Sequence, residues 1–352
     1  MKDLFRIGLS PDFVKVQAAD ILHPVLDEVL GPLPYVEWDF FQQKDEIVAP
    51  HEIQDYDGVI LLASRFTADS FVGLERLAVI ARWGVGYDNV SVPACTESDV
   101  LLAITTDAVR RPMAESVITF LFALSRKIVL KDKLARMGRW DLRAQTSGVG
   151  LTGKTFGSVG IGNIGSETFR LLRAVEPARL LAHDPCVSQE QADELGVELV
   201  DLPTLFKESD FLVINCPLND ETRGMIGKDL LSLMKPTAYF VNTARGGIVN
   251  EDDLIAILQA GKIAGAGLDV FEQEPMPADN PLTQLDNVIL SPHAIAWGED
   301  VYRANSVDAC GNVLTVLRGE IPKYTVNKDV VERPGFRAKL QSLRSRWAAL
   351  RG

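Results

Sequence analysis

The segment TFGSVGIGNIGSETFRLL, residues 155–172, constrains this chain more than any other. Thr155–Val159 reads as a short apolar strand, and an apolar-periodic helix follows the glycines. Gly160, Gly162 and Gly165 fit G-x-G-x-x-G. In that pattern Gly160 permits the tight turn, Gly162 lets a pyrophosphate approach the backbone, and Gly165 lets helix and strand pack closely. The N–H groups opening the helix, Asn163 and Ile164 among them, then hold the anion. The motif alone is weak, but here the strand before it and the helix after it are both present. ARLLAHDP reads as a second strand ending in Asp184, nineteen residues after Gly165. A carboxylate there hydrogen-bonds a ribose 2′-OH and repels a 2′-phosphate. Pro185 and Cys186 follow, not a cation, so the expected cofactor is NAD and not NADP. Asp-Pro also opens ordinary turns, which is the competing reading of Asp184.

The rest of the chain repeats the same logic. FRIGLS, YVEWDFF and DGVILLA read as strands, and residues 13–30 as a helix between the first two. Strands spaced by helices imply parallel βαβ units. A long helix is expected from Pro112 to about Ala135, and a second run of βα units from Lys154 to Pro292. With 352 residues, 47% of them hydrophobic, two domains are the prior. The net charge of −12 repels nucleic acid and anionic membranes. The four cysteines lack C-x-x-C spacing, so neither a disulfide frame nor a metal site is expected. No stretch approaches the ~20 apolar residues of a membrane span, and the N-terminus lacks a signal-peptide core. A cytoplasmic location is expected. Residues 331–352 form a basic amphipathic helix, expected to lie on the protein's own body or on a second subunit.

Three further segments put a chargeable group just past an apolar run. AYFVNTARGG supplies Arg245, IAGAGLDVFEQEP supplies Asp269 and Glu274, and NVILSPH supplies His293. Each has a bland explanation: a turn arginine, a solvated loop acid, a structural histidine. Strand C-terminal ends of an open parallel sheet face the ligand crevice, so the three groups are expected to converge. An arginine fork suits a substrate carboxylate and polarises an adjacent carbonyl. Histidine exchanges a proton near neutral pH, and a neighbouring glutamate orients it. That set fits reduction of a 2-keto acid by a nicotinamide hydride.

In order along the chain, LTGKTFGSVGIGNIG, CPLNDETRGMIG, LMKPTAYFVNTARGGIVNEDDL, GKIAGAGLDVFEQEP and NVILSPH resemble the D-isomer-specific 2-hydroxyacid dehydrogenase family. The resemblance spans roughly Asp57 to Asn327. It implies an α/β fold of two Rossmann-like, doubly wound parallel-sheet domains, the substrate domain flavodoxin-like, with a cleft between them. The implied substrate domain is discontinuous, 1–111 plus 295–330, around an NAD-binding domain at 112–294, followed by the 331–352 helix. Homodimers formed through the cofactor domains are implied. Carried over by motif, Arg245 binds substrate and assists catalysis, Glu274 partners the histidine, and His293 is the acid/base. Asp269 and Thr243 fall at the nicotinamide end of the cofactor, Pro217 and Thr222 at its ribose and adenine side, and Ala244 and His293 are further cofactor contacts. RWGVGYDN matches the loop that offers backbone N–H groups to the substrate carboxylate, so Val85 and Gly86 are candidates.

Departures from the family pattern bear on the substrate. Thr106, Asp107 and Val109 replace a proline, glycine and asparagine often seen before the crossing helix. Arg110-Arg111 adds positive charge there, either for a second anionic group or as a solvated loop. Asn215 stands where a histidine is frequent, and Trp297 follows the catalytic-histidine motif as a candidate substrate contact. The expected function is hydride transfer between NAD and a D-2-hydroxy or 2-keto acid. The alternative is an NAD(H)-sensing, corepressor-like protein of the same fold without turnover.

Overall fold

The computed structural model describes residues 4–15 and 19–351. Residues 1–3, 16–18 and 352, which include part of the expected helix 13–30, lie outside the described residues. The chain divides into two compact units. One comprises 1–109 and 297–352, the other 110–296.

The first unit is built on five parallel strands: β1 (Phe5–Leu9), β2 (Val36–Phe40), β3 (Gly58–Leu61), β4 (Val79–Arg82) and β5 (Leu101–Ile104), in the order β2-β1-β3-β4-β5. The fully buried runs Gly58–Leu61 and Leu101–Ala103 explain why these segments read as unbroken apolar strings rather than alternating ones. The helix Pro334–Arg351 belongs to this unit and buries Phe336, Leu343 and Trp347 in its core. Two of its positive charges are engaged internally. Lys339 Nζ donates to the carbonyls of Leu77, Ser98 and Asp99 at 3.0, 3.1 and 3.2 Å. Arg346 and Arg76 both pair with the buried Asp57 carboxylate.

The second unit has seven parallel strands: β6 (Thr155–Val159), β7 (Arg179–His183), β8 (Glu198–Leu199), β9 (Phe211–Ile214), β10 (Tyr239–Asn242), β11 (Gly265–Leu268) and β12 (Val288–Leu290). Their order is β12-β11-β10-β9-β6-β7-β8. The order reverses between β6 and β9, which is the topological switch point where such sheets bind ligands. Rings of Phe156, Phe211 and Tyr239 stack across β6, β9 and β10 with centroids 5.1 and 5.4 Å apart. Helix Thr106–Ser125 crosses β11 closely because Gly267 has no side chain. A Cβ there would sit 2.8 Å from the Phe120 ring.

Two sequence expectations need correction. The long helix starts at Thr106, not Pro112, and Pro112 lies inside it. Proline removes only one backbone bond, and the first turn is tied down from afar: the Tyr324 hydroxyl donates to Asp107 Oδ1 at 2.8 Å. The helix also ends at Ser125. Lys127 takes a left-handed φ of 51°, and a separate helix, Ile128–Arg136, follows. No helix among the described residues is long and apolar enough to cross a membrane.

Candidate active site

The ends of β10, β11 and β12 lie side by side, and each delivers one of the expected groups. At the end of β10, Asn242 is buried and braces the next turn. Its Nδ2 donates to the Arg245 carbonyl at 2.9 Å, and its Oδ1 accepts the Ala244 N–H at 3.0 Å. That grip fixes the Thr243–Arg245 turn from which the arginine projects. Gly246 then lets this turn press on the segment after β11. A Cβ at 246 would lie 1.9 Å from the Phe271 carbonyl carbon and 2.4 Å from the Glu272 nitrogen. The close approach brings the Arg245 turn beside the Glu274 segment.

Glu274 and His293 form the central pair, Nδ1 to Oε2 2.7 Å. Glu274 Oε1 accepts the Phe271 N–H at 2.9 Å. Burial alone would raise the Glu274 pKa. The hydrogen bond and charge of His293, the Phe271 N–H and the charge of Arg245 outweigh it and hold the group below its ordinary value. Glu274 is therefore ionised at neutral pH and can only accept, so Nδ1 of His293 carries hydrogen and Nε2 is the free end of the ring. His293 sits at φ 53°, a left-handed conformation that costs a non-glycine residue about 1 kcal/mol.

That backbone conformation is held by Asp269. The Asp269 carbonyl accepts the His293 N–H at 2.8 Å. Its buried Oδ1 accepts the Ala294 and Ile295 N–H groups at 2.9 and 3.0 Å. Burial raises the Asp269 pKa above the ordinary carboxylate value, against these bonds, the Ser291 hydroxyl and the His293 charge.

The dinucleotide motif is formed as its glycines require. Gly160 has φ +92° and presses on the Asn215–Cys216 backbone after β9, where a Cβ would be 2.9 Å from the Cys216 nitrogen. A Cβ on Gly165 would lie 2.6 Å from the Gly160 carbonyl oxygen. Gly162, by contrast, faces open space, with nothing within 4 Å of a Cβ. It immediately precedes helix Asn163–Leu172, whose N-terminus no side chain caps. Helix N–H groups and room for a phosphate therefore coincide, as a bound pyrophosphate needs. Asp184 Oδ2 accepts the Ile161 N–H and Oδ1 the Cys186 N–H, both at 2.9 Å. Each oxygen keeps a lone pair for a ribose hydroxyl. Pro217 and Thr222 meet on the loop after β9, where the Thr222 hydroxyl donates to the Pro217 carbonyl at 2.7 Å.

The family model described as D-isomer specific 2-hydroxyacid dehydrogenase, NAD binding domain, matches residues 118–294. The chain belongs to this family. Its second unit thus contains the family's NAD-binding domain, and the open Gly162 cradle fits that cofactor. Among relatives, a glyoxylate reductase of Korarchaeum cryptofilum is 37% identical over 81% of this chain and 87% of its own. A D-3-phosphoglycerate dehydrogenase of Methanocaldococcus jannaschii is also 37% identical, over 89% of this chain. The chain spans 59% of that relative's length. A solved glyoxylate reductase from Paecilomyes thermophila superposes with TM-score 0.78 at 26% identity, over 93% of this chain and 99% of that one.

The remaining candidates lie in the first unit of this dehydrogenase-family chain. Val85 and Gly86 follow β4, and their N–H groups have no partner among the described residues. The preceding Gly84 is pinned by its N–H to Thr105 Oγ1 at 2.7 Å. Trp297 is half-exposed and packs edge-on against Tyr302, which stacks on Trp83 just before that loop. In the second unit, Arg111 is engaged by Glu115 and Glu167 at 2.6 and 3.1 Å, so its charge is already matched. Sequence reasoning overlooked Asn242, whose only signal was a buried amide ending an apolar run.

Proposed function

We propose that the protein is an NAD-dependent reductase of a short 2-keto acid, working reversibly on the D-2-hydroxy acid. The observation that carries this reading is the 2.7 Å His293–Glu274 pair at adjacent strand ends, with the Arg245 turn pressed against the Phe271–Glu272 segment and the arginine's charge helping to keep Glu274 ionised. NAD, as NADH, supplies the hydride to the carbonyl carbon. His293 Nε2 gives the proton to the carbonyl oxygen, and ionised Glu274 stabilises the imidazolium before transfer and holds the ring. Arg245 binds the carboxylate and polarises the carbonyl. Val85 and Gly86 are proposed as carboxylate N–H donors, and Trp297 as a substrate contact. Asp269 and the Thr243–Ala244 turn are assigned to the nicotinamide end, and Pro217 and Thr222 to the ribose and adenine side. Glyoxylate and hydroxypyruvate are the first substrates to try. Similarity to the glyoxylate reductase over most of both chains supports that choice.

A homodimer is proposed as the working form. Helix Ile128–Arg136 buries none of its residues, and Met137 and Trp140 are 60% and 69% exposed just beyond it. A second copy of this surface is the proposed occupant.

The test is NADH oxidation across small, branched, sugar-derived and phosphorylated 2-keto acids. Turnover that falls at least ~10³-fold in His293→Ala is expected. NADH binding with no turnover on any acid would replace this reading with that of an NAD(H) sensor.

A further inference from the structure

The glycine loop is gripped by polar side chains that its motif does not demand. Ser158 lies within β6 and is buried. A hydroxyl in an apolar strand is costly unless it is hydrogen-bonded. Its Oγ donates to the Gly160 carbonyl at 2.6 Å. A hydroxyl has one hydrogen, so the second contact must run the other way: Asn215 Nδ2 donates to Ser158 Oγ at 2.9 Å. Asn215 is itself fixed by its N–H to the Val159 carbonyl at 2.8 Å. The result is a directional relay, Asn215 to Ser158 to Gly160.

The same peptide unit is held at its other pole, since the Ile161 N–H goes to Asp184 Oδ2 at 2.9 Å. The next unit is held at its carbonyl, where Ser166 Oγ donates to Ile161 O at 2.6 Å. A planar peptide whose carbonyl is fixed has its N–H fixed in the opposite direction. That N–H belongs to Gly162, and it has no partner among the described residues. It opens the side where a Gly162 Cβ would meet nothing.

We propose that Ser158, Asn215 and Ser166 are positioning residues for the cofactor's pyrophosphate. They lock two successive peptides so that the Gly162 N–H and the helix N–H groups after it point at the anion before it arrives. Preorganised donors bind more tightly because less ordering is left for the binding step. Ser158 and Asn215 act as one unit, since the relay fails at either residue.

Ser158→Thr and Ser158→Val have the same shape and differ only in the hydroxyl, so their comparison removes packing from the result. Dissociation constants are measured by fluorescence and calorimetric titration with NADH, ADP-ribose and adenosine. The valine variant is expected to bind NADH and ADP-ribose about fivefold to tenfold more weakly than the threonine variant. The ratio for adenosine, which has no phosphate, is expected near one. A ratio near one for NADH overturns the proposal, and so does an equal loss for adenosine, which would signify general damage to the loop. Should the valine variant not fold, Ser166→Ala carries the test from the helix surface. An NADH dissociation constant raised about threefold or more is expected there, and an unchanged one refutes the lock.

Discussion

Gly246→Ala tests how the three strand ends form one site. Gly246 does not need a left-handed backbone, so the substitution acts by contact alone. The new Cβ would start 1.9 Å from the Phe271 carbonyl carbon and 2.0 Å from its oxygen, both backbone atoms that cannot rotate away. Ordinary contact begins near 3.4 Å, so the Arg245 turn and the Phe271–Glu274 segment must separate by about 1.5 Å. Overpacking of this kind costs about 1–3 kcal/mol of stability. The functional cost is of similar size, because a misplacement of about 1 Å among reacting groups costs ~10²-fold. That is roughly 2.7 kcal/mol of barrier. The assay is kcat/KM for NADH-dependent reduction of glyoxylate or the best acid found, with a melting curve alongside. A variant within about twofold of wild type would refute the reasoning, for it would show that the spacing of these segments does not govern the chemistry.

Gly162→Ala is expected to do the reverse: its Cβ meets nothing, so the cofactor-free melting temperature should hold while NADH affinity falls at least tenfold, about 1.4 kcal/mol, in a binding titration. Glu274→Gln should lower kcat ~10²-fold. Because the folded Glu274 pKa lies below its ordinary 4.5, its stabilising contribution is complete above that pH and is lost as pH falls through the lower folded value. The melting-temperature gap between wild type and Glu274→Gln should therefore close as pH falls below about 4.5. Lys339→Met strands three carbonyls in the first unit and should cost roughly 2–3 kcal/mol in urea unfolding. Trp140→Glu should shift the protein from dimer to monomer in light scattering at micromolar concentration, and an unchanged mass would redirect the dimer proposal to another surface.

Some of this was legible in the residues because the constraint is local. The positive φ of Gly160 and the close contact of Gly165 with the Gly160 carbonyl answer to backbone geometry within a few residues, and Gly162 to the room a phosphate needs, so the phosphate loop could be read before any fold was known. Apolar runs that stop at a chargeable residue likewise marked the ends of β10, β11 and β12. What the sequence could not decide depends on groups distant along the chain. Helix Thr106–Ser125 begins six residues before Pro112, with Tyr324, some two hundred residues later, donating its hydroxyl to Asp107 in the first turn. Ser158 looked like an ordinary polar residue, and its pairing with Asn215 became visible only when the parallel strands β6 and β9 placed them side by side. The sequence alone determined the chemistry available: a dinucleotide loop, an arginine, a glutamate and a histidine. The tertiary structure decided their geometry, because Gly246 packing and the Asp269 hydrogen bonds set where those side chains stand, and neither interaction lies within one local segment.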